Sequence, residues 1–383
     1  MLTNLAKFPA PYFGGKTHAA PHVWAALGDV PHYVEPFCGS CAALLLRPHP
    51  CNRPYYSETV NDADGLLVNA LRSLQLHPDA TAEAASVVVA EAELMSRHLA
   101  ILRWIKDKDL EKLMADPAWC DPVVGGWWLW GLSCWIGGGW CDGSGPWIVG
   151  KDGRITKRES GEPGVSRQLP HLADDGQGVN RPAGREPGVS RQLPHLANGG
   201  KGVNHAGGKE PGVWSEDDFH PQTMPELRRW FAFLAARLRH VRILNGDWRR
   251  VVTTGAAITL PVRQGKGPCG VFLDPPYSAE ANRDNGLYRC ESGSVAYDAR
   301  EWCIKHGSDK RYRIVLAGFE GEHGSVLPDA GWREIEWFAK GYLRGGMGNL
   351  GAVDEETGER NQQHRERLWV SPHCCASEQR LLF

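Results

Sequence analysis

Short apolar runs in the first part of the chain end in polar or acidic residues and alternate with longer, helix-prone segments. Tyr33-Val34-Glu35 reads as a short strand ending in Pro36-Phe37-Cys38-Gly39-Ser40, and the small residues lead into Cys41-Ala42-Ala43-Leu44-Leu45-Leu46, which suits a helix. Tyr55 to Val60 reads as a second strand, ending in Asn61-Asp62-Ala63-Asp64, with a helix expected over Leu66 to Leu74. The order of strand, turn, helix, strand, acidic end and helix predicts a doubly wound, mostly parallel α/β sheet. Thr81 to Met114 is rich in Ala, Glu and Leu and reads as a long helical stretch. Regular patterning resumes at Pro225, a good first helical residue, with apolar positions at helical spacing from Leu227 to Leu238. Further strands are expected at Val241–Leu244, Gly270–Leu273, Arg313–Ala317, Trp332–Phe338 and Leu368–Val370.

Between these regions the pattern breaks down. A Gly- and Trp-rich stretch runs from Trp119 to Trp147, and a segment full of Gly, Pro, Asn and Arg follows from about Gly150 to Gly212. Here Glu162-Pro163-Gly164-Val165-Ser166-Arg167-Gln168-Leu169-Pro170-His171-Leu172 recurs 24 residues later from Glu186 to Leu196, with a fragment of a third copy at Glu210-Pro211-Gly212-Val213. Two copies and a fragment are too few for a solenoid, and they carry few large apolar residues. The expectation is an irregular insertion over about 160–213 rather than a domain. The implied organisation is a first α/β part over 1–80, an intervening region over 81–236, and a second α/β part over 237–383.

The chain has 383 residues, 42% of them hydrophobic, which is enough for a packed core with an insertion. The formal charge of -2 neither marks nor excludes a nucleic-acid binder, since a binding face needs only local positive charge. From 151 to 210 ten basic residues stand against seven acidic ones, so the insertion could contact phosphates or be a tolerated surface loop. Eleven scattered cysteines, without a signal peptide or a long apolar run, predict free thiols in a soluble cytoplasmic protein. Cys38 and Cys41 have CxxC spacing, but no second pair with suitable spacing accompanies them, so no metal site is expected.

The candidate chemistry centres on Asp274-Pro275-Pro276-Tyr277, which follows an apolar strand directly. In open α/β sheets, ligands sit outside the carboxyl ends of the strands. Prolines lack a backbone donor and restrict the chain, so the Asp274 carboxylate and the Pro275 carbonyl would present two acceptors to one spot. An exocyclic amino group offers two N–H donors, and Tyr277 offers a flat face on which a base can stack. Two acceptors on its hydrogens favour a tetrahedral nitrogen whose lone pair can attack a methyl group. The competing reading is a tight turn at a strand end. Asp62 could bind ribose hydroxyls, cap the following helix, or do both, and Asp247 could accept from an adenine amino group or cap a helix.

Together these segments resemble the Dam-type DNA adenine methyltransferases, the alpha group of amino-methyltransferases. Tyr12-Phe13-Gly14-Gly15-Lys16 is similar to that family's amino-terminal cofactor motif, and Glu35-Pro36-Phe37-Cys38-Gly39 to its glycine loop, with Cys41 where a further Gly is common. Asn61-Asp62-Ala63-Asp64 resembles the ribose-binding segment, and Asp274-Pro275-Pro276-Tyr277 the catalytic motif in its adenine-typical form. The likeness covers roughly residues 8–75 and 240–375 and keeps the family's order of glycine loop, recognition region and catalytic motif. It implies a class I, Rossmann-like fold, S-adenosylmethionine as cofactor, and methyl transfer to N6 of an adenine flipped out of double-stranded DNA. Cofactor contacts would come from Tyr12, Phe13, Gly15, Lys16, Glu35, Pro36, Phe37, Gly39, Asp62, Asp247 and Asp274. Cytosine N4 or RNA adenine would suit the same two acceptors, and a catalytically silent DNA-binding subunit is an alternative of another class. Monomer or weak dimer, phage origin and a restriction-enzyme partner stay open. Trp127, Trp128 and Trp130 are expected to pack in the core, whereas the glycines near Trp135 and Trp140 suggest close backbone approach, with a flipped base as one candidate.

Overall fold

The computed structural model describes residues 5–12, 15–48, 56–107, 109–135, 140–141, 147–149, 155–157, 221, 223–253, 267–276, 295–337 and 366–375. The 24-residue repeat, Phe13, Tyr277 and Phe338 lie outside them.

The strands are β1 (His32–Glu35), β2 (Ser57–Asp62), β3 (Trp147–Val149), β4 (Ile155–Lys157), β5 (Val241–Asn245), β6 (Cys269–Leu273), β7 (Tyr312–Phe319), β8 (Arg333–Glu336) and β9 (Glu366–Val370). Seven of them form one sheet in the order β5-β2-β1-β6-β7-β9-β8, and β3 and β4 pair separately as an antiparallel ribbon. The pairings from β5 to β7 are parallel, whereas β9 runs antiparallel to both β7 and β8. The α/β expectation is met as a mixed, mostly parallel sheet. Strand order grows in opposite directions from β1 and β6, so the topological switch point lies between them, where a doubly wound sheet opens a crevice.

Right-handed crossovers place helices on opposite faces once the direction of growth reverses. One face carries α1 (Ala20–Leu27), α2 (Ala42–Leu45), α3 (Gly65–Leu76), α4 (Pro78–Ala84), α5 (Glu91–Lys106), α6 (Asp109–Ala115), α7 (Pro122–Cys134) and α8 (Met224–Leu238). The other face carries α9 (Trp248–Thr253), α10 (Val295–Gly307) and α11 (Val326–Asp329). Strand side chains alternate between the two cores: Phe272 joins the first, and Val271 and Leu273 join the second.

Several elements differ from expectation for identifiable reasons. The long helical stretch from Thr81 breaks into α4, α5 and α6, with the break at Ser86-Val87-Val88-Val89, where β-branched residues disfavour a helix. α8 begins at Met224, before Pro225, because Thr223 and Glu226 close a capping box. The last expected strand before β9 is shorter, Arg333–Glu336, and its largely exposed, charged residues suit a sheet edge.

The Gly/Trp-rich stretch contains α7, a largely apolar helix. Asp121 caps it by accepting from Val123 N and Val124 N, both at 3.0 Å. Its glycines serve packing. A Cβ at Gly126 would stand 2.5 Å from both the Ala84 methyl and the Thr81 carbonyl oxygen, and one at Gly131 would overlap the Trp140 ring. Trp128 and Trp130 are buried, as expected, and Trp130 donates to Val87 O at 3.0 Å. Trp127 is only half-buried and lies under the Arg97 guanidinium. Trp135 stacks on His98 at 5.0 Å between centroids. The close approach at Gly131 is to Trp140, and Gly137, Gly138 and Gly139 lie outside the described residues. α7 and α8 both pack on α3 and α4. Arg72, buried in α3, ties this layer to the sheet by donating to Ile243 O, Leu113 O, Asp116 O and Trp119 O. Among the described residues no helix is long and apolar enough to cross a membrane.

Candidate active site at the switch point

The carboxyl ends of β1, β2 and β6 carry Glu35, Asp62 and Asp274 to one edge of the sheet. Register fixes this: Glu35 pairs with Val60, and Asp62 with Asn245 at the end of β5. Because β9 is reversed, its first residue, Glu366, pairs with Phe319 at the end of β7 and arrives at the same edge.

Polar side chains sew the strand-end loops together. Asn61 Nδ2 donates to Pro36 O and to Gly246 O, each at 3.0 Å, and Asn245 Nδ2 donates to Asp62 O at 2.9 Å. Asp62 accepts from Gly39 N at 3.0 Å through Oδ2 and from Asp64 N at 2.9 Å through Oδ1. The N-cap of α3 is Asp64, which accepts from Leu66 N at 2.9 Å, so capping does not consume Asp62. Burial outweighs these hydrogen bonds and pushes the Asp62 carboxyl up to about 6.

The loop from Pro36 to Cys41 is shaped by two left-handed residues. Gly39 has φ 46°, a conformation open to glycine at little cost. Cys41 has φ 55° and ψ 27°, so a non-glycine residue occupies the left-handed region at the start of α2. The Phe37 ring lies against Trp248 at 5.5 Å, Pro36 is buried, and Cys38 N donates to Asn61 O at 2.9 Å.

The amino-terminal segment closes on this loop. The Tyr12 ring packs edge-on against Phe8 and Trp128, and its edge would lie 3.4 Å from a Cβ built on Gly39. A Cβ on Gly15 would stand 3.5 Å from Tyr12 O and 3.7 Å from Ser40 Oγ. Lys16 is buried and places Nζ 3.0 Å from Asp274 Oδ2 and 3.9 Å from Glu366 Oε1. Asp274 is partly exposed, Pro275 is buried and Pro276 half-buried.

Glu35 is fully buried. It accepts from Tyr33 Oη at 3.0 Å and from the Leu44 backbone N–H. Burial above all, with repulsion from Asp274 and Asp62 added, raises its carboxyl from 4.5 to about 8 despite those bonds. Glu366 is also raised, first by burial and then by Asp274, while Lys16 opposes the shift. Four strand-end carboxyls, two of them paired with Lys16, offer hydrogen-bond acceptors and an environment that favours positive charge.

Of the residues singled out in the sequence, Tyr12, Gly15, Lys16, Glu35, Pro36, Phe37, Gly39, Asp62 and Asp274 gather at this edge. Asp247 follows β5 but is exposed, and its carboxylate is engaged locally. It accepts from Arg249 N at 2.7 Å and pairs with Arg249 Nη1 at 3.1 Å, which is the capping role. Glu366 escaped the sequence reading, because a lone acid at the start of a strand carries no motif. Its signal lies in the reversed strand that brings it to the cleft. Among the described residues no group of His, Cys, Asp and Glu is placed to hold a metal ion.

No protein-family model matches the chain, and no curated protein matches it at significant similarity.

Proposed function

We propose that this chain is an S-adenosylmethionine-dependent methyltransferase acting on the exocyclic amino group of a nucleic-acid base, N6 of a flipped-out adenine in DNA. The observation that carries the reading is the convergence of Glu35, Asp62 and Asp274 on one sheet edge at the switch point, with Lys16 from the amino-terminal segment seated on Asp274. All four come from the segments that resemble the Dam-type family. Two further features support it. Cys41 adopts a left-handed conformation where that family commonly has glycine. The sheet keeps a doubly wound order and ends in a reversed strand inserted before the edge, in keeping with the class I methyltransferase fold.

The residues fit the proposed cofactor. Asp62, with two backbone N–H groups already bound, keeps acceptor capacity for ribose hydroxyls. The acid-rich cleft complements a cationic molecule. When bound, S-adenosylmethionine supplies an electrophilic methyl group on a sulfonium. The protein's own part is to hold the amino group: the Asp274 carboxylate and the Pro275 carbonyl accept its two N–H bonds, which localises the nitrogen lone pair. Extracting a base from duplex DNA costs a few kcal/mol, which stacking in the pocket would have to offset.

Expression in a bacterial host lacking DNA methylation, followed by sequencing that detects modified bases, tests the reading. N6-methyladenine at a defined motif is the expected outcome, and Asp274→Ala is expected to abolish it with the fold retained. Continued methylation by that variant would sink the mechanism.

A further inference from the structure

We propose that Glu366 is a positioning residue for Asp274: acting through Lys16, it takes part of the lysine's charge and so sets how strongly the Asp274 carboxylate is neutralised. The inference rests on Asp274 being the acceptor for the target amino group.

The geometry is a short chain of charges. Lys16 Nζ touches Asp274 Oδ2 at 3.0 Å and lies 3.9 Å from Glu366 Oε1. Coulomb attraction falls inversely with distance, so at equal dielectric Asp274 holds the lysine only about 1.3-fold more strongly than Glu366 does. Lys16 and Glu366 are 5% and 3% exposed, so water screens this division poorly. Glu366 Oε2 is buried and has no hydrogen-bond partner among the described residues. Burying a carboxylate in that state is unfavourable, and the fold does not require it, since an amide would fill the same position. Its charge is instead matched to Lys16.

The consequence concerns acceptor strength. An ammonium given wholly to Asp274 would draw electron density from the carboxylate and weaken its hydrogen bond to an amino group. Removing the ammonium would leave Asp274 and Glu366 repelling each other, and the former would protonate more readily. Dividing one lysine between two carboxylates keeps Asp274 ionised and basic. Other charged groups bear on Asp274 as well. Glu35 on β1 is coupled to it, and Asp62 at the end of β2 is coupled to Glu35. Burial holds the Glu35 proton up to about 8. Glu366 is the second described carboxylate against Lys16.

The test is a titration of Asp274 itself. Protein labelled with 13Cγ-aspartate is followed by NMR against pH, and the Asp274 resonance is assigned by its loss in Asp274→Asn. Glu366→Gln is expected to lower the Asp274 midpoint by about half a pH unit or more, and Lys16→Met to raise it by a similar amount. Glu366→Asp, which retains the charge, is expected to stay closer to wild type than Glu366→Gln does. An unmoved or raised midpoint in Glu366→Gln overturns the proposal. So does an equal displacement in Glu366→Asp and Glu366→Gln, which would assign Glu366 a role of shape alone. If Glu366→Gln does not fold, Lys16→Met and Glu366→Asp decide the same question. The acid limb of methyl transfer by wild type and Glu366→Gln is measured in parallel. Shifted midpoints without wild-type methyl transfer would remove the proposed function and leave the charge coupling standing. Methyl transfer with unmoved midpoints would do the reverse.

Discussion

Glu35→Gln should make the protein more stable in mildly alkaline solution while weakening the site. The Glu35 carboxyl is fully buried, and burial raises it from 4.5 to about 8. The unfolded chain releases this proton near 4.5 and the folded protein near 8. Between those values the folded state holds the extra proton, so stability falls as pH rises through that window and levels off above it. One pKa unit is worth about 1.4 kcal/mol, so the full interval corresponds to at most about 5 kcal/mol. Asp62, raised to about 6, contributes a loss of the same sign over a lower window, and it remains in the variant. Glutamine can keep both local hydrogen bonds, accepting from Leu44 N and donating to Tyr33 Oη. Urea unfolding monitored by tryptophan fluorescence, at steps from about pH 5 to about pH 8, measures the difference between variant and wild type. That difference should grow in favour of Glu35→Gln with rising pH, by about 2 kcal/mol or more across the range. A flat difference, or one that turns against the variant, would refute the argument that Glu35 is held neutral by burial.

Glu58, buried at the start of β2, accepts from Arg47 Nη1 at 3.0 Å and from Arg237 Nη1 and Nη2 at 2.7 and 2.9 Å. Glu58→Gln should therefore cost about 3–5 kcal/mol by leaving buried guanidinium charge uncompensated, as read by thermal or urea unfolding. Gly131→Ala should cost about 1–3 kcal/mol, because the new methyl must displace the Trp140 ring. Deleting residues 160–208 should make DNA affinity less dependent on salt if their arginines contact phosphates; an unchanged slope of affinity against salt would dismiss that role.

The strands that carry the site were legible because each is a short apolar run closed by a polar residue. Val34 before Glu35, Val60 before Asn61 and Asp62, and Leu273 before Asp274 are the instances. Parallel strands buried on both faces write this pattern into the sequence. α7 was not legible. Gly125, Gly126 and Gly131 lower helix propensity, and only the packed layer shows that they admit Ser73, Ala84 and Trp140 at close range. Asp247 shows the local half of its two expected roles: Arg249, two residues on, binds both its oxygens and capping is met within the loop. Glu366 was hidden for the opposite reason. Its meaning comes from partners roughly 350 and 90 residues away in the chain, Lys16 and Asp274, which no local pattern can report.

The placement of α7 and α8 bears on how this chain can change length. Both helices dock on α3 and α4, and roughly 90 residues join them. Because each end is anchored by its own packing, a 24-residue duplication between them need not shift the acid-bearing strand ends. The same junction is where a foreign peptide or whole domain could be spliced in and carried as cargo.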